Sequence, residues 1–210
     1  MSQITNEVVG VVLAGGLARR MNHQDKSFLT LADKPLIDHV IGRFAPQCNT
    51  VLISSNKLND QLQSYGFPVI KDTLEGFPGP LAGILAAMEW SEIHQPDTKW
   101  IASIAVDTPF LPKNLVAELL QSVHDDESQL ACAYSAGRSH PVNGLWSMDL
   151  MAVLRLALED EGLRKIDQWT ARYKLSKTVF DFKSIDPFFN INSQDDLTQA
   201  ESIIKPSLSS

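Results

Sequence analysis

Val8-Val9-Gly10-Val11-Val12-Leu13, followed by Ala14-Gly15-Gly16-Leu17-Ala18-Arg19-Arg20-Met21-Asn22-His23-Gln24-Asp25-Lys26, is the stretch that decides the fold. Its opening run is apolar without alternation, which reads as a strand buried on both faces. The paired glycines after it let the backbone turn sharply and aim N–H groups at an anion. Arg19, Arg20 and Lys26 add positive charge to the same loop. Amides that grip oxygens and cations that offset charge together suit a triphosphate. The string is neither G-x-G-x-x-G nor the phosphate loop that closes on Gly-Lys-Ser/Thr. A Gly-Gly pair alone also serves a plain strand-to-helix turn.

Outward from this stretch, short β-branched runs alternate with segments of helical period. Strands are expected at Val51–Ser54, Pro68–Lys71, Trp100–Val106, Leu130–Ser135 and Val142–Trp146, and extended chain at Lys177–Phe182. Helices are expected at Pro35–Phe44, Leu58–Tyr65, Pro80–Trp90, Lys113–Val123, Met148–Leu158, Leu163–Tyr173 and Ser193–Ile203. Ser193 with Asp196 three residues on forms a capping-box pattern. Strand alternating with helix predicts one α/β domain, Rossmann-like, with a mostly parallel sheet and helices on both faces. In such sheets ligands lie beyond the carboxyl ends of strands. The domain is expected over residues 1–205, with Pro206–Ser210 as a frayed, flexible tail.

The 210 residues carry 18 Lys and Arg against 25 Asp and Glu, a net charge of −7 that argues against a nucleic-acid-coating protein. Hydrophobic residues at 44% and charged residues at 20% exclude a disordered chain. Cys48 and Cys132 form no metal-type spacing and read as reduced thiols. Met1–Glu7 lacks the pattern of a signal peptide, and no apolar run approaches the roughly 20 residues of a membrane helix. The expected location is cytoplasmic, with no nucleic-acid or membrane partner. The four tryptophans, Trp90, Trp100, Trp146 and Trp169, read as core, and no metal spacing links His23, His39, His94 and His124.

LAGG-x-x-x-RM-x-x-x-DK resembles the signature of nucleotidyltransferases with a GT-A-like Rossmann fold. Among them it is most similar to the molybdenum cofactor guanylyltransferases. The resemblance continues through GPLAGI (Gly79–Ile84), DTPF (Asp107–Phe110), HPV (His140–Val142) and NINSQDDL (Asn190–Leu197). It implies transfer of GMP from Mg²⁺-bound GTP to the terminal phosphate of molybdopterin, with release of pyrophosphate. It also implies that Leu13, Ala14, Gly15, Gly16, Lys26 and Gly79 bind the nucleotide, and that Arg20 contacts phosphates. Asn22 stands where the family has glycine; Asn is the non-glycine residue that best tolerates positive φ.

Asp107 follows an apolar strand directly, where an unpaired carboxylate is unfavourable. Mg²⁺ takes one or two carboxylates plus phosphate oxygens; Asp before Thr-Pro also begins turns. The resemblance assigns Asp107 to the metal, and makes Lys26, Arg20 and Asp107 the catalytic set. Asp72 aligns with the family's nucleotide-site Asp; read alone it is a turn residue. Ser54 aligns with a family nucleotide-contact Asn, with Asn56 two residues on. His140, Asn190 and Asn192 are implied on the acceptor side, beside Arg138 and Ser139; read alone they serve structure and turns. Relatives with a similar loop use CTP, or sugar and polyol phosphates as acceptors, and a non-catalytic nucleotide- or cofactor-binding partner is the reading from another class. Handing the cofactor on would involve transient contacts with the proteins that make molybdopterin or receive the product.

Overall fold

The computed structural model describes residues 7–15, 17–18, 24–57, 60–76 and 79–204. Gly16, Arg20, Asn22 and Pro206–Ser210 lie outside the described residues. Strands β1 (Val8–Leu13), β2 (Thr50–Ser54), β3 (Val69–Ile70), β4 (Trp100–Ala105), β5 (Leu130–Ser135), β6 (Arg138–Ser147) and β7 (Leu175–Val179) form a seven-stranded sheet. Its order is β7-β5-β6-β4-β1-β2-β3. β6 runs antiparallel to β4 and β5, and the other pairs are parallel. The chain therefore leaves β1 toward β2 on one side and later returns to β4 on the other. That reversal opens a crevice at the carboxyl ends of β1 and β4.

The side-chain period of two divides β1 between two cores: Val8 and Val12 meet one, Val9 and Val11 the other. Helices α1 (Leu36–Phe44) and α4 (Leu115–Asp126) cover the first face through Ile37, Val40, Phe44, Leu115 and Leu119. A short helix, α2 (Asp60–Gln63), adds Leu62 to that core. Helices α3 (Pro80–His94), α5 (Met151–Glu159) and α6 (Ile166–Thr170) cover the second through Leu81, Ile84, Met88, Leu154 and Trp169. α7 (Gln194–Ile204) closes a third cluster with Leu31, Leu36, Ile191 and Leu197. Its start carries the expected reciprocal cap: Asp196 N–H donates to Ser193 Oγ, and Ser193 N–H to Asp196 Oδ2.

Several elements differ from the sequence reading. After β1 the chain enters a two-stranded ribbon, Leu17–Ala18 against Gln24–Asp25, where the sequence reading has a loop. The return strand of that ribbon delivers Lys26 back beside the end of β1. β6 begins at Arg138, ahead of the expected Val142, because a bulge between His140 and Gly144 absorbs Pro141. Proline cannot donate to the ladder, and a bulge is where a sheet tolerates it. Among the described residues, 60–65 and 163–173 are helical only over α2 and α6. The last strand lies at Leu175–Val179 rather than Lys177–Phe182. Cys48 and Cys132 are free and buried, and Trp146 and Trp169 are core residues. Among the described residues no helix is long and apolar enough to cross a membrane.

α3 is buried on nearly every side over its first turns, which is why it is built of small and apolar residues. Gly83 sets its approach to the sheet: a Cβ there would lie 2.6 Å from Ser54 Oγ and 2.7 Å from Leu13 Cδ2. Gly42, exposed within α1, would place a Cβ with nothing within 4 Å. Gly42→Ala should therefore raise unfolding stability by about 0.5–1 kcal/mol through helix propensity. Gly83→Ala should lower it by about 1–3 kcal/mol through overpacking. Urea unfolding of the two variants checks both signs; equal effects would refute the packing account.

Candidate functional site

The ends of β1 and β4 lie side by side, with Leu13 in register with Ala105. Val106 N–H donates to the Leu13 carbonyl (3.3 Å), and Ala14 N–H to the Ser54 carbonyl (2.9 Å), so the three neighbouring strand ends are tied together. Beyond them opens a cleft of about 300 Å³. Leu13, Gly15, Lys26, Ser54, Asp72, Gly79 and Asp107, all singled out from the sequence, line it. Ala14 does not: it is buried beneath, its N–H already engaged. Gly16 and Arg20 lie outside the described residues.

Lys26 and Asp107 meet at 2.9 Å, each side chain 14% exposed. The same ammonium donates to Asn192 Oδ1 at 2.5 Å. Asn192 thus reaches the cleft through Lys26, and Ile191 N–H donates to the Asp107 carbonyl (3.0 Å). Asp107 Oδ1 is buried and has no hydrogen-bond partner among the described residues. An orphaned buried acceptor is unfavourable by roughly 1–3 kcal/mol. Oδ1 therefore fits one ligand position of a hard divalent ion, whose remaining positions would be filled by ligand-borne oxygens and water. No group of three or more His, Cys, Asp or Glu side chains suited to a metal occurs among the described residues. The ammonium on Oδ2 marks this carboxylate as a place that holds positive charge.

The turn carrying Asp107 is built by residues that the sequence reading did not single out. Because of the bulge in β6, backbone pairing with β4 ends at Gly144 and Ser103. Asn143 fills the gap: its Oδ1 accepts the Ala105 N–H at 3.0 Å. Thr108 Oγ1 donates to the Ala105 carbonyl at 2.7 Å. The bulge also brings Val142 to the cleft wall.

Across the cleft, Asn56 and Asp72 form a reciprocal pair. Asn56 Nδ2 donates to Asp72 Oδ2 (2.6 Å), and Asp72 N–H donates to Asn56 Oδ1 (2.9 Å). Burial pushes the Asp72 carboxyl above its ordinary value, against the opposing effect of the Asn56 bond. Ser54 is buried on the floor beneath Gly83, and Asn56, two residues beyond, is the polar side chain paired across the cleft. The start of α3 completes this wall, with Pro80 in the first turn and Gly79 at φ +149, a conformation that favours glycine. The first N–H groups of such a helix carry partial positive charge.

On the distal side, Asn190 is exposed, on the same segment as Asn192. His140 is buried, with 8% of its surface exposed, and is not among the residues lining the cleft. Its ring stacks on Phe188 at 5.0 Å, and its Nε2 bonds Ser135 Oγ at 2.9 Å. Burial first, then the Arg138 charge, hold its pKa below the usual histidine value.

Residues 10–175 match the MobA-like NTP transferase domain. A molybdenum cofactor guanylyltransferase of Rhodopseudomonas palustris is 46% identical, covering 92% of this chain and 92% of its own. A molybdopterin-guanine dinucleotide biosynthesis protein A from Archaeoglobus fulgidus superposes with TM-score 0.75 at 24% identity, covering 94% of this chain and 99% of that one. A Mycobacterium tuberculosis protein, Rv0371c, solved in complex with manganese, superposes with TM-score 0.67 at 15% identity, covering 93% of this chain and 98% of that one.

The Asp72 environment makes a signed prediction. Its folded pKa lies above the unfolded value of 3.8, so the native state holds the proton to higher pH. The stability this contributes is lost as pH rises through the raised value. Asp72→Asn, which keeps the acceptor for Asn56, should melt higher than the parent chain at pH 7. The gap should close as pH falls toward 3.8. Thermal melts across that range test it, and a gap independent of pH would contradict it.

Proposed function

The chain belongs to the MobA-like NTP transferase family and is a nucleotidyltransferase, and from that premise we propose that it transfers GMP from GTP to the terminal phosphate of molybdopterin. The products are molybdopterin guanine dinucleotide and pyrophosphate. The observation that carries this reading is the meeting of Lys26 with Asp107 in the cleft at the strand-order reversal, with Asp107 Oδ1 buried and unpaired among the described residues.

The acceptor is already an anionic nucleophile, so no covalent enzyme intermediate is needed. Its phosphate oxygen forms a bond to the α-phosphorus, the α–β bridging bond breaks in line, and pyrophosphate carries off the electron pair. What the protein supplies is placement and charge. Lys26 offsets charge gathering on the phosphoryl oxygens. Arg20, which lies outside the described residues, is assigned to the phosphates on the signature alone. Leu13, Gly15 and Gly79 frame the nucleotide with Ala14 packed beneath them, Gly16 is assigned to it on the signature alone, and the start of α3 favours its negative charge. The Asp72 carboxylate, held by Asn56, suits the adjacent N–H groups of guanine, with Ser54 beneath. Asn190 and Asn192 face the acceptor side. Asp107 would hold Mg²⁺, which would supply Lewis-acid polarisation of the phosphate oxygens; Mn²⁺ satisfies the same ligand chemistry. The nucleotidyltransferase domain is taken as residues 1–205. A cytoplasmic setting and hand-over contacts with proteins that supply molybdopterin or receive the product belong to the same proposal.

Lys26→Ala and Asp107→Asn should each lower kcat by roughly 10²–10³, by analogy with loss of one oxyanion donor, in protein that retains its circular dichroism. Pyrophosphate release should require GTP and molybdopterin in a panel that includes CTP, sugar phosphates and polyol phosphates. Release with CTP and a polyol phosphate alone would overturn the guanylyl assignment. GTP binding without release would indicate a binding partner rather than an enzyme.

A further inference from the structure

Between β7 and α7 the chain runs from Phe180 to Ser193 without regular secondary structure, yet this segment delivers Asn192 to Lys26. A long irregular connection needs anchors of its own. One end is held by the α7 cap, where the N–H groups of Asn192 and Ser193 both donate to Asp196 Oδ2 at 2.8 Å. The other end is held from inside the sheet. Ser135, the last residue of β5, donates its hydroxyl proton to Asp186 Oδ1 at 2.6 Å. That proton is then used, so the 2.9 Å contact with His140 runs from Nε2–H to Ser135 Oγ. Asp186 Oδ1 also accepts the Phe188 N–H at 2.9 Å, and the Asp186 carbonyl accepts the Phe189 N–H at 3.0 Å. Phe188 is fully buried against the His140 ring, and Arg138 lies 3.7 Å from Asp186 Oδ2.

We infer that Ser135, His140 and Asp186 are positioning residues, a buried relay that seats the 186–192 segment so that Asn192 meets Lys26 and the acceptor side of the cleft takes its shape. This rests on the guanylyltransferase reading for its kinetic consequence but not for its structural one. It gives His140 a role different from direct contact with the acceptor. The ring is packed in the core, and its donor is committed to Ser135. What reaches the cleft is Asn192, four residues beyond the Phe188 that the ring supports.

The test uses the full chain with Ser135→Ala, His140→Leu, His140→Gln and Asp186→Asn. Glutamine places an amide N–H where Nε2–H stood, and asparagine keeps the accepting oxygen. Ser135→Ala and His140→Leu should raise the KM for molybdopterin about tenfold, as loss of a supporting shell does. Their kcat and their affinity for Mg·GTP should stay within about twofold, because the nucleotide wall is untouched. His140→Gln and Asp186→Asn should stay near the parent values. Amide hydrogen exchange at Phe188, Ile191 and Asn192 should accelerate about tenfold in the two disruptive variants, with β1 and β4 unchanged. Unchanged exchange and KM would overturn the relay, as would acceleration spread over all strands. A KM rise in His140→Leu without one in Ser135→Ala would also overturn it, in favour of direct acceptor contact. If the parent chain released no pyrophosphate from GTP and molybdopterin, the functional reading would fall, and exchange at 188–192 would decide the relay by itself.

Discussion

The contact on which the rest of this structure turns is the one between Lys26 Nζ and Asp107, at 2.9 Å. It joins the ribbon after β1 to the turn after β4, and through Asn192 it also joins the start of α7. These three places are brought together by topology. Only because strand order reverses at β1 do the turns after β1 and β4 diverge and leave a crevice between them. The pair balances charge in the cleft without silencing it. One carboxylate oxygen is satisfied by the ammonium, and the other is buried and has no partner among the described residues, an arrangement that keeps a standing demand for positive charge.

Supporting that contact takes unusual backbone work on the neighbouring strands. A regular β6 would pair with β4 to its end and lock the turn before Asp107 by backbone alone. The bulge removes that pairing, and Asn143 restores a single bond to Ala105 through its side chain. The exchange leaves the turn anchored and swings Val142 into the cleft wall. Bulges near sites of chemistry commonly re-aim side chains in this way. On the other wall the constraint is steric. Gly83 lets α3 settle onto Leu13 and Ser54, which brings the positive end of a 15-residue helix to the cleft.

Much of this was readable in the sequence, for reasons that differ from residue to residue. β1 was legible because an unbroken apolar run before Gly-Gly admits few alternatives. The place of Asp107 beyond a strand end was legible because an apolar run stops directly before it, while its assignment to the metal came from the resemblance of DTPF. The Ser193–Asp196 cap followed from spacing alone, since a capping box is local. β6 was misjudged at its start because Pro141 argues against a strand unless a bulge can be foreseen, and bulges depend on partners far away in sequence. Asn143 was invisible for the same reason: its only sign is an N–H on β4 left over by that bulge. The acceptor-side assignment of His140 came from the resemblance of its motif. Its burial against Phe188, 48 residues later, is a tertiary fact that no local pattern encodes. Asn56 lay two residues from Ser54, but choosing between them needed the crossing of α3 that places Ser54 on the floor.

The energetic standing of the ion pairs gives an independent reason to place function at Lys26 and Asp107. Lys99–Glu7, with side chains 65% and 49% exposed, is of the class that contributes about 0–1 kcal/mol. Arg172–Glu161 and Arg155–Glu159 are likewise open to solvent. Lys26–Asp107 is enclosed, each partner 14% exposed, so desolvation offsets much of its Coulombic gain. Apolar residues of similar volume at such a position are commonly as stabilising or more so. Stability alone therefore gives little reason for this pair, whose Oδ1 is buried without a partner among the described residues. A lysine and an aspartate held together at the bottom of a crevice, with little net gain to the fold, make sense when a charged ligand completes them. In a chain of net charge −7, an anionic ligand is repelled by the molecule as a whole. Local cations and oriented amides must then supply the attraction at short range, where screening is weak and the dielectric is low.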